Sequence, residues 1–240
     1  DPRHAPKDTK MILLLLALAL SPGLAIAIYI YWRDKYEKEP IGLLVVCFIL
    51  GGLTCFPAAL LEHFSMKFLS IDLDSPHTDL FTAFYAAFFL VGFSEEFVKY
   101  LVLTRYAFRK PAFNEPFDGI VYSVIIGLGF ATLENIFYVI EGGLSTGIAR
   151  MFTAVPMHAV FGVLMGYYVG LAKSQGTSLQ LTSRLKGLGY AVILHGAYDF
   201  VLFQDTISWL KLLIIPMIIC SILISRKAMH TNLDASPFKK

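Results

Sequence analysis

Leu80-Phe-Thr-Ala-Phe-Tyr-Ala-Ala-Phe-Phe-Leu-Val-Gly-Phe-Ser-Glu-Glu-Phe-Val-Lys-Tyr-Leu-Val-Leu-Thr104 is the stretch on which the fold turns. It is long enough to cross a membrane, since ~20 residues rising 1.5 Å each span a ~30 Å hydrocarbon core. It is apolar throughout except for a few hydroxyls and the trio Glu95, Glu96 and Lys99. Charges inside an otherwise lipid-soluble helix cost ~2.5–3.5 kcal/mol each on the lenient insertion scale. They persist where they face a polar interior and do work there.

Runs of the same kind recur on both sides of this one. Upstream are Met11–Trp32 and Ile41–Leu61; downstream are Asp118–Ile140, Met151–Ala172, Leu185–Phe203 and Ile207–Ser225. Only 16% of the 240 residues are charged, against about a quarter in soluble domains. The expected fold is therefore all-α: one polytopic transmembrane helix bundle of about seven spans, embedded in the lipid bilayer. The bundle domain is expected over 11–227, with residues 1–10 an upstream extension or expression scar and 228–240 a tail. A net charge of +2 gives no reason to expect a nucleic-acid partner. Cys47, Cys55 and Cys220 all lie in apolar runs and read as small hydrophobes.

Orientation follows from the positive-inside rule. One alternate set of connecting segments carries thirteen Lys and Arg residues, from Arg33 to Lys240; the other carries Lys67, Arg150 and Lys211. The N-terminus is expected outside and the C-terminus inside. Tyr29, Tyr31 and Trp32 fit an interfacial belt. Gly162, Gly166 and Gly170, spaced by four, mark a face for close helix contact.

Four consecutive runs carry ionisable groups: Glu95, Glu96 and Lys99; Glu134 beside Asn135; His158; and His195 with Asp199. They cannot all face lipid, so they are expected to converge. Glu95 and Lys99 lie ~40° apart on one helix face, within ion-pair reach. His195 and Asp199 repeat the i, i+4 spacing, which lets the carboxylate fix the imidazole tautomer. Counting along straight α-helices puts His195 near the midplane, Glu134 and His158 further out and the Glu pair further in. Carboxylates beside imidazoles can run hydrolysis, one taking a proton from water and the other holding an oxyanion or protonating the leaving amine. The same groups can bind zinc, with Glu134, His158 and His195 as the candidate ligands. No HExxH and no GxSxG occurs. Asp118 reads as a helix N-cap, and Glu62, His63, His77 and Glu141 as interfacial or solvated groups. Proton- or ion-coupled transport is the competing reading of buried Glu, His and Asp, although no internal repeat supports it.

These residues carry a resemblance. Glu95-Glu96-x-x-Lys99, Phe117-Asp-Gly-Ile-Val-Tyr122, Gly129-Phe-Ala-Thr-Leu-Glu-Asn135, His158-Ala-Val-Phe-Gly162 and Leu194-His-Gly-Ala-Tyr-Asp-Phe200 occur in the order seen in the PrsW intramembrane proteases. The early Ser21-Pro-Gly and the Arg33 to Glu39-Pro40 loop also resemble that family. The family is itself distantly similar to the Abi/CAAX prenyl endopeptidases. The resemblance implies a multi-pass protease of the bacterial plasma membrane that makes the first, site-1 cut in a single-pass anti-sigma factor. It implies Glu95, Glu96 and His195 as the essential set, completed by His158 and Glu134. Lys99, Asn135 and Asp199 are expected to support them. It leaves open whether zinc or a glutamate-activated water does the work.

Overall fold

The computed structural model describes residues 9–72, 78–174 and 177–239. His77 and most of residues 1–10 lie outside them. The described residues form helices and no strand. In order these are α1 (Thr9–Arg33), α2 (Ile41–Leu53), α3 (Cys55–Leu69), α4 (Leu80–Tyr85), a π-helical segment (Ala86–Gly92), α5 (Phe93–Arg105), α6 (Pro116–Phe152), α7 (Ala154–Lys173), α8 (Thr177–Phe203) and α9 (Ile214–Asp234). Short 3₁₀ turns cover Ala107–Arg109 and Ser208–Leu213. Among the described residues, four helical stretches are long and apolar enough to cross a membrane: Thr9–Arg33, Ile41–Leu69, Pro116–Lys173 and Ser208–Asp234.

Several boundaries differ from those read off hydropathy, each for a physical reason. The second run continues past Leu61 to Leu69, because Glu62, His63 and Lys67 are tolerated on a helix whose end leaves the apolar layer. The short Gly-rich stretch between the runs ending at Ile140 and starting at Met151 stays helical, bent at Gly143, whose φ of 70° lies in the left-handed region that favours glycine. The stretch Leu80–Thr104 is one continuous helix with a π insert in its middle. Asp118 is the third helical residue of α6, not its cap; Glu115 caps, and the two carboxylates satisfy each other's backbone N–H groups in a capping box. The basic stretch after Arg226 extends α9 to Asp234.

The exposure pattern is inverted relative to a soluble protein. Phe68, Phe81, Trp32 and Leu212 stand exposed on the perimeter, whereas Glu96, Asp118 and Asn135 are at most 1% exposed. Apolar side chains facing outward and polar ones inward is what a lipid solvent selects. α6 forms the centre, with nearly every residue from Pro116 to Thr132 buried. Its neighbours approach through glycine. A Cβ on Gly166 or Gly170 of α7 would fall on the backbone of Gly119 or Pro116. One on Gly51 of α2 would fall on Ile126, and one on Gly129 on Phe48 of α2. Such contacts let dispersion hold helices that gain nothing from the hydrophobic effect in lipid.

One end of the bundle gathers the Asp34–Pro40 loop, the start of α6 and the end of α9. The Tyr122 hydroxyl donates to Glu39, the Ser236 hydroxyl to Glu115, and the Glu39 N–H to Asp34 Oδ2 at 3.2 Å. The opposite end ties Asp205 to Thr78 through a backbone bond of 3.3 Å. Burial holds the Asp34 carboxyl up at about 7, and burial beside Asp118 holds Glu39 up at about 10. An unfolded carboxylate ionises near pH 4, so the folded chain holds more protons between about 4 and 7 at Asp34. Stability is then lost as pH rises through that window, and through a wider one at Glu39. In detergent, wild-type protein should melt a few degrees lower at pH 8 than at pH 5.5. The drop should be smaller in Asp34→Asn. Equal slopes in wild type and variant would refute the assignment.

Candidate active site

α5 presents Glu95, Glu96 and Lys99 from one turn of helix. The Lys99 ammonium lies 3.0 Å from Glu95 Oε2, 2.8 Å from Glu96 Oε1 and 3.3 Å from His158 Nδ1. It also sits 3.9 Å from the centroid of the Phe130 ring of α6. An ammonium has three hydrogens and no acceptor, and these three partners saturate it. His158 Nδ1 is then an acceptor, so its proton resides on Nε2, which lies 3.0 Å from Glu134 Oε2.

The second imidazole is paired differently, because its Nδ1 faces a carboxylate and donates to it. His195 Nδ1 is 3.0 Å from Glu96 Oε1, while Nε2 is 3.2 Å from Asp199 Oδ2 and 3.9 Å from Glu95 Oε2. The Asp199 approach is not aligned as a hydrogen bond, and Asp199 Oδ2 has no hydrogen-bond partner among the described residues. Its influence on the ring is electrostatic. Phe161 stacks on His195 at 4.5 Å and 18°, and the two imidazoles meet edge to face at 5.3 Å.

Glu95, Glu96, His158 and His195 thus each offer a donor atom within 4.8 Å of all the others, and all four are buried. The depth spread expected from straight α-helices is absent. The π segment preceding α5 bonds i to i+5 and advances less per residue, which carries the Glu pair back toward the histidines. Glu134 is adjacent but not part of this group; it lies on the far side of His158. Its carboxylate is shared with Arg150, whose Nη2 is 2.8 Å from Glu134 Oε2 and whose Nε donates to Asn135 Oδ1 at 2.9 Å. Asn135 in turn donates to the Ala19 carbonyl of α1 at 3.2 Å.

A cavity of about 870 Å³ opens beside the cluster. Glu95, Glu134, Arg150, His158, His195 and Asp199 line it, and Glu62 and Met66 of α3 form part of its wall. Glu96 does not line it. Glu62 therefore faces the site, where sequence reasoning placed it at an interface. Arg150 was also missed as a site residue. The only signal was that it is one of three cations on the sparsely charged side, because its fold back over Glu134 depends on the bend at Gly143.

The donor set suits a divalent metal on structural grounds. Tetrahedral ligands at ~2.1 Å from an ion stand ~3.4 Å apart, a modest contraction from the present spacing. Both histidines turn Nδ1 inward and have a carboxylate behind Nε2. At His158 this is the outer-shell arrangement that fixes the tautomer and orientation of metal-bound imidazole.

Comparison with known proteins bears on the same residues. Residues 39–224 match the family described as PrsW family intramembrane metalloprotease. Protease PrsW of Geobacillus kaustophilus is 36% identical over 190 residues, covering 78% of this chain and 79% of that protein. Protease PrsW of Shouchella clausii is 38% identical over 192 residues, covering 80% and 84%. The protein of the same name from Clostridioides difficile is 33% identical over 218 residues, covering 88% and 87%. No solved structure matches the chain.

Proposed function

The chain belongs to the PrsW family of intramembrane metalloproteases, and from that premise we propose that it makes the site-1 cut in a single-pass anti-sigma factor in the bacterial plasma membrane. The observation that carries the catalytic part is the buried group of Glu95, Glu96, His158 and His195 beside a cavity of about 870 Å³. The proposed topology has seven passes: α1, α2 with α3, α4 through α5, α6 up to its bend, α7, α8 and α9. The N-terminus is outside and the C-terminus inside. The ties of Glu39 to Tyr122 and of Ser236 to Glu115 support the number of passes, because it puts all four at one end of the bundle. The cavity then opens toward the outer half, where Glu62 and Arg150 stand.

In the proposed mechanism, His158 and His195 with Glu96 would hold a zinc ion. That ion, when bound, polarises the scissile carbonyl and makes water a stronger acid. Of the glutamate pair Glu95 is the one on the cavity wall, so it takes the proton from the attacking water and returns it to the leaving amine. Glu134 holds the Nε2 proton of His158 and so leaves its Nδ1 lone pair facing inward, while the Asp199 carboxylate acts on the His195 ring through its charge. Arg150 fixes Glu134. Phe161 and Phe130 exclude bulk water from the cluster, which strengthens each of these interactions. A transmembrane substrate has to unwind near the cavity, since a helix hides its carbonyls in its own hydrogen bonds.

Purified protein in proteoliposomes should cleave a single-pass anti-sigma factor once, near its extracytoplasmic face, as read by mass spectrometry of the two fragments. Intact substrate under conditions where the protein is folded and correctly inserted would refute the substrate assignment. A cut on the inner side would refute the topology.

A further inference from the structure

The Lys99 ammonium is held by the groups that would bind the metal. Three of its contacts, Glu95 Oε2 at 3.0 Å, Glu96 Oε1 at 2.8 Å and His158 Nδ1 at 3.3 Å, fall on three residues of the four-donor cluster. The lysine is 3% exposed, and its side chain belongs to the same turn as the two glutamates. Its three hydrogens are fully used on these acceptors. We propose that Lys99 is a tethered counter-cation that occupies the donor cluster and must be displaced for the metal to load. The proposal rests on the metalloprotease reading of this site.

The physical case is charge and valence. Two buried carboxylates without a cation repel each other strongly, because the interior screens charge poorly. An ammonium from the same helix neutralises one of them and keeps the imidazole of His158 unprotonated on Nδ1, the form a metal needs. Two cations cannot share the Nδ1 of one imidazole. The single lone pair of His158 Nδ1 points at one cation or the other, and like charges a few ångströms apart in a buried site disfavour joint occupancy. The Phe130 face, 3.9 Å from the ammonium, offers the displaced cation a partner that is not a metal donor. Lys99 thereby keeps the empty site intact at the cost of metal affinity.

A lysine that only braces the ligands from outside predicts the opposite sign, so metal affinity decides. Metal-stripped full-length protein in detergent is titrated with Co²⁺, followed by its visible absorption, with Zn²⁺ in competition. Lys99→Met should bind Co²⁺ at least tenfold more tightly than wild type. Lys99→Gln, which keeps the length and loses the charge, should shift in the same direction. Lys99→Arg, whose cation grips both carboxylates, should bind no more tightly than wild type. Equal or weaker binding by the Met and Gln variants, with wild type binding normally, overturns the proposal and leaves the metal reading standing. No Co²⁺ or Zn²⁺ binding by any of the proteins overturns both. A second readout needs no variant: with ¹⁵N-lysine, the caged Nζ signal of Lys99 should exchange slowly in stripped wild type and vanish when Zn²⁺ is added. Its persistence in the loaded protein overturns the proposal.

Discussion

Glu95→Gln is expected to lower the cleavage rate by roughly a thousandfold without unfolding the protein, in line with the ~10²–10⁴ that a positioned general base contributes. The amide keeps the shape of the side chain and can still accept from Lys99, so packing against α3, α6 and α8 is retained. What it loses is the capacity to take a proton from water. Glu95 is preferred over Glu96 for this role because Glu95 lines the cavity, whereas Glu96 is 1% exposed and turned to Lys99 and His195 Nδ1. The check is a kcat measured under saturating substrate, with detergent-solubilised variant shown to be monodisperse. On the proposed roles Glu95→Gln should bind substrate and metal with near-native affinity and fail in kcat alone. A variant that cleaves at the native rate would remove Glu95 from the chemistry. A variant that loses metal would make it a ligand.

The second large effect is metal removal. Chelation should abolish cleavage by about a thousandfold or more, since Lewis-acid polarisation and water activation are together worth several kcal/mol and each 1.36 kcal/mol is tenfold in rate. Stoichiometric Zn²⁺ should restore it. Stripped protein should remain folded, because Lys99 offsets one of the two glutamate charges and the contacts of α6 through Gly51, Gly119, Gly129, Gly166 and Gly170 are made by backbone away from the four donors. His195→Ala should behave like stripped protein and resist restoration, because one of the two inward Nδ1 atoms is gone. Loss of activity that zinc cannot restore in wild type would point to unfolding by the chelator treatment, which circular dichroism would reveal.

Much of this was legible in the sequence because a membrane makes the relevant signals coarse. Apolar runs gave the all-helical fold, and the expense of burying Glu95, Glu96, Lys99, Glu134, His158, His195 and Asp199 singled them out. The structure brings those seven side chains into one network of ion pairs and polar contacts, the Lys99–His158 hydrogen bond joining its two halves. What hydropathy could not give was anything set by backbone detail. The π segment of Ala86–Gly92 has no composition of its own, yet it changes the register in which the following helix presents Glu95 and Glu96. Arg150 reads as a loop cation until the bend at Gly143 brings it over Glu134. Glu62 lies at the polar edge of a run, and only the packing of α3 turns it toward the cavity. Glu134 stood among the sequence-based metal candidates because it is an intramembrane carboxylate, and one-dimensional spacing does not distinguish a donor facing the centre from one behind a histidine.

The most direct test of the account is metal stoichiometry and coordination in active protein purified in detergent, by elemental analysis and X-ray absorption at the zinc edge. The account predicts one zinc per chain with two imidazole nitrogens and carboxylate oxygen in its first shell, the nitrogen count falling to one in His195→Ala if any ion is retained. Fully active protein with no bound metal, unaffected by chelator, would contradict it.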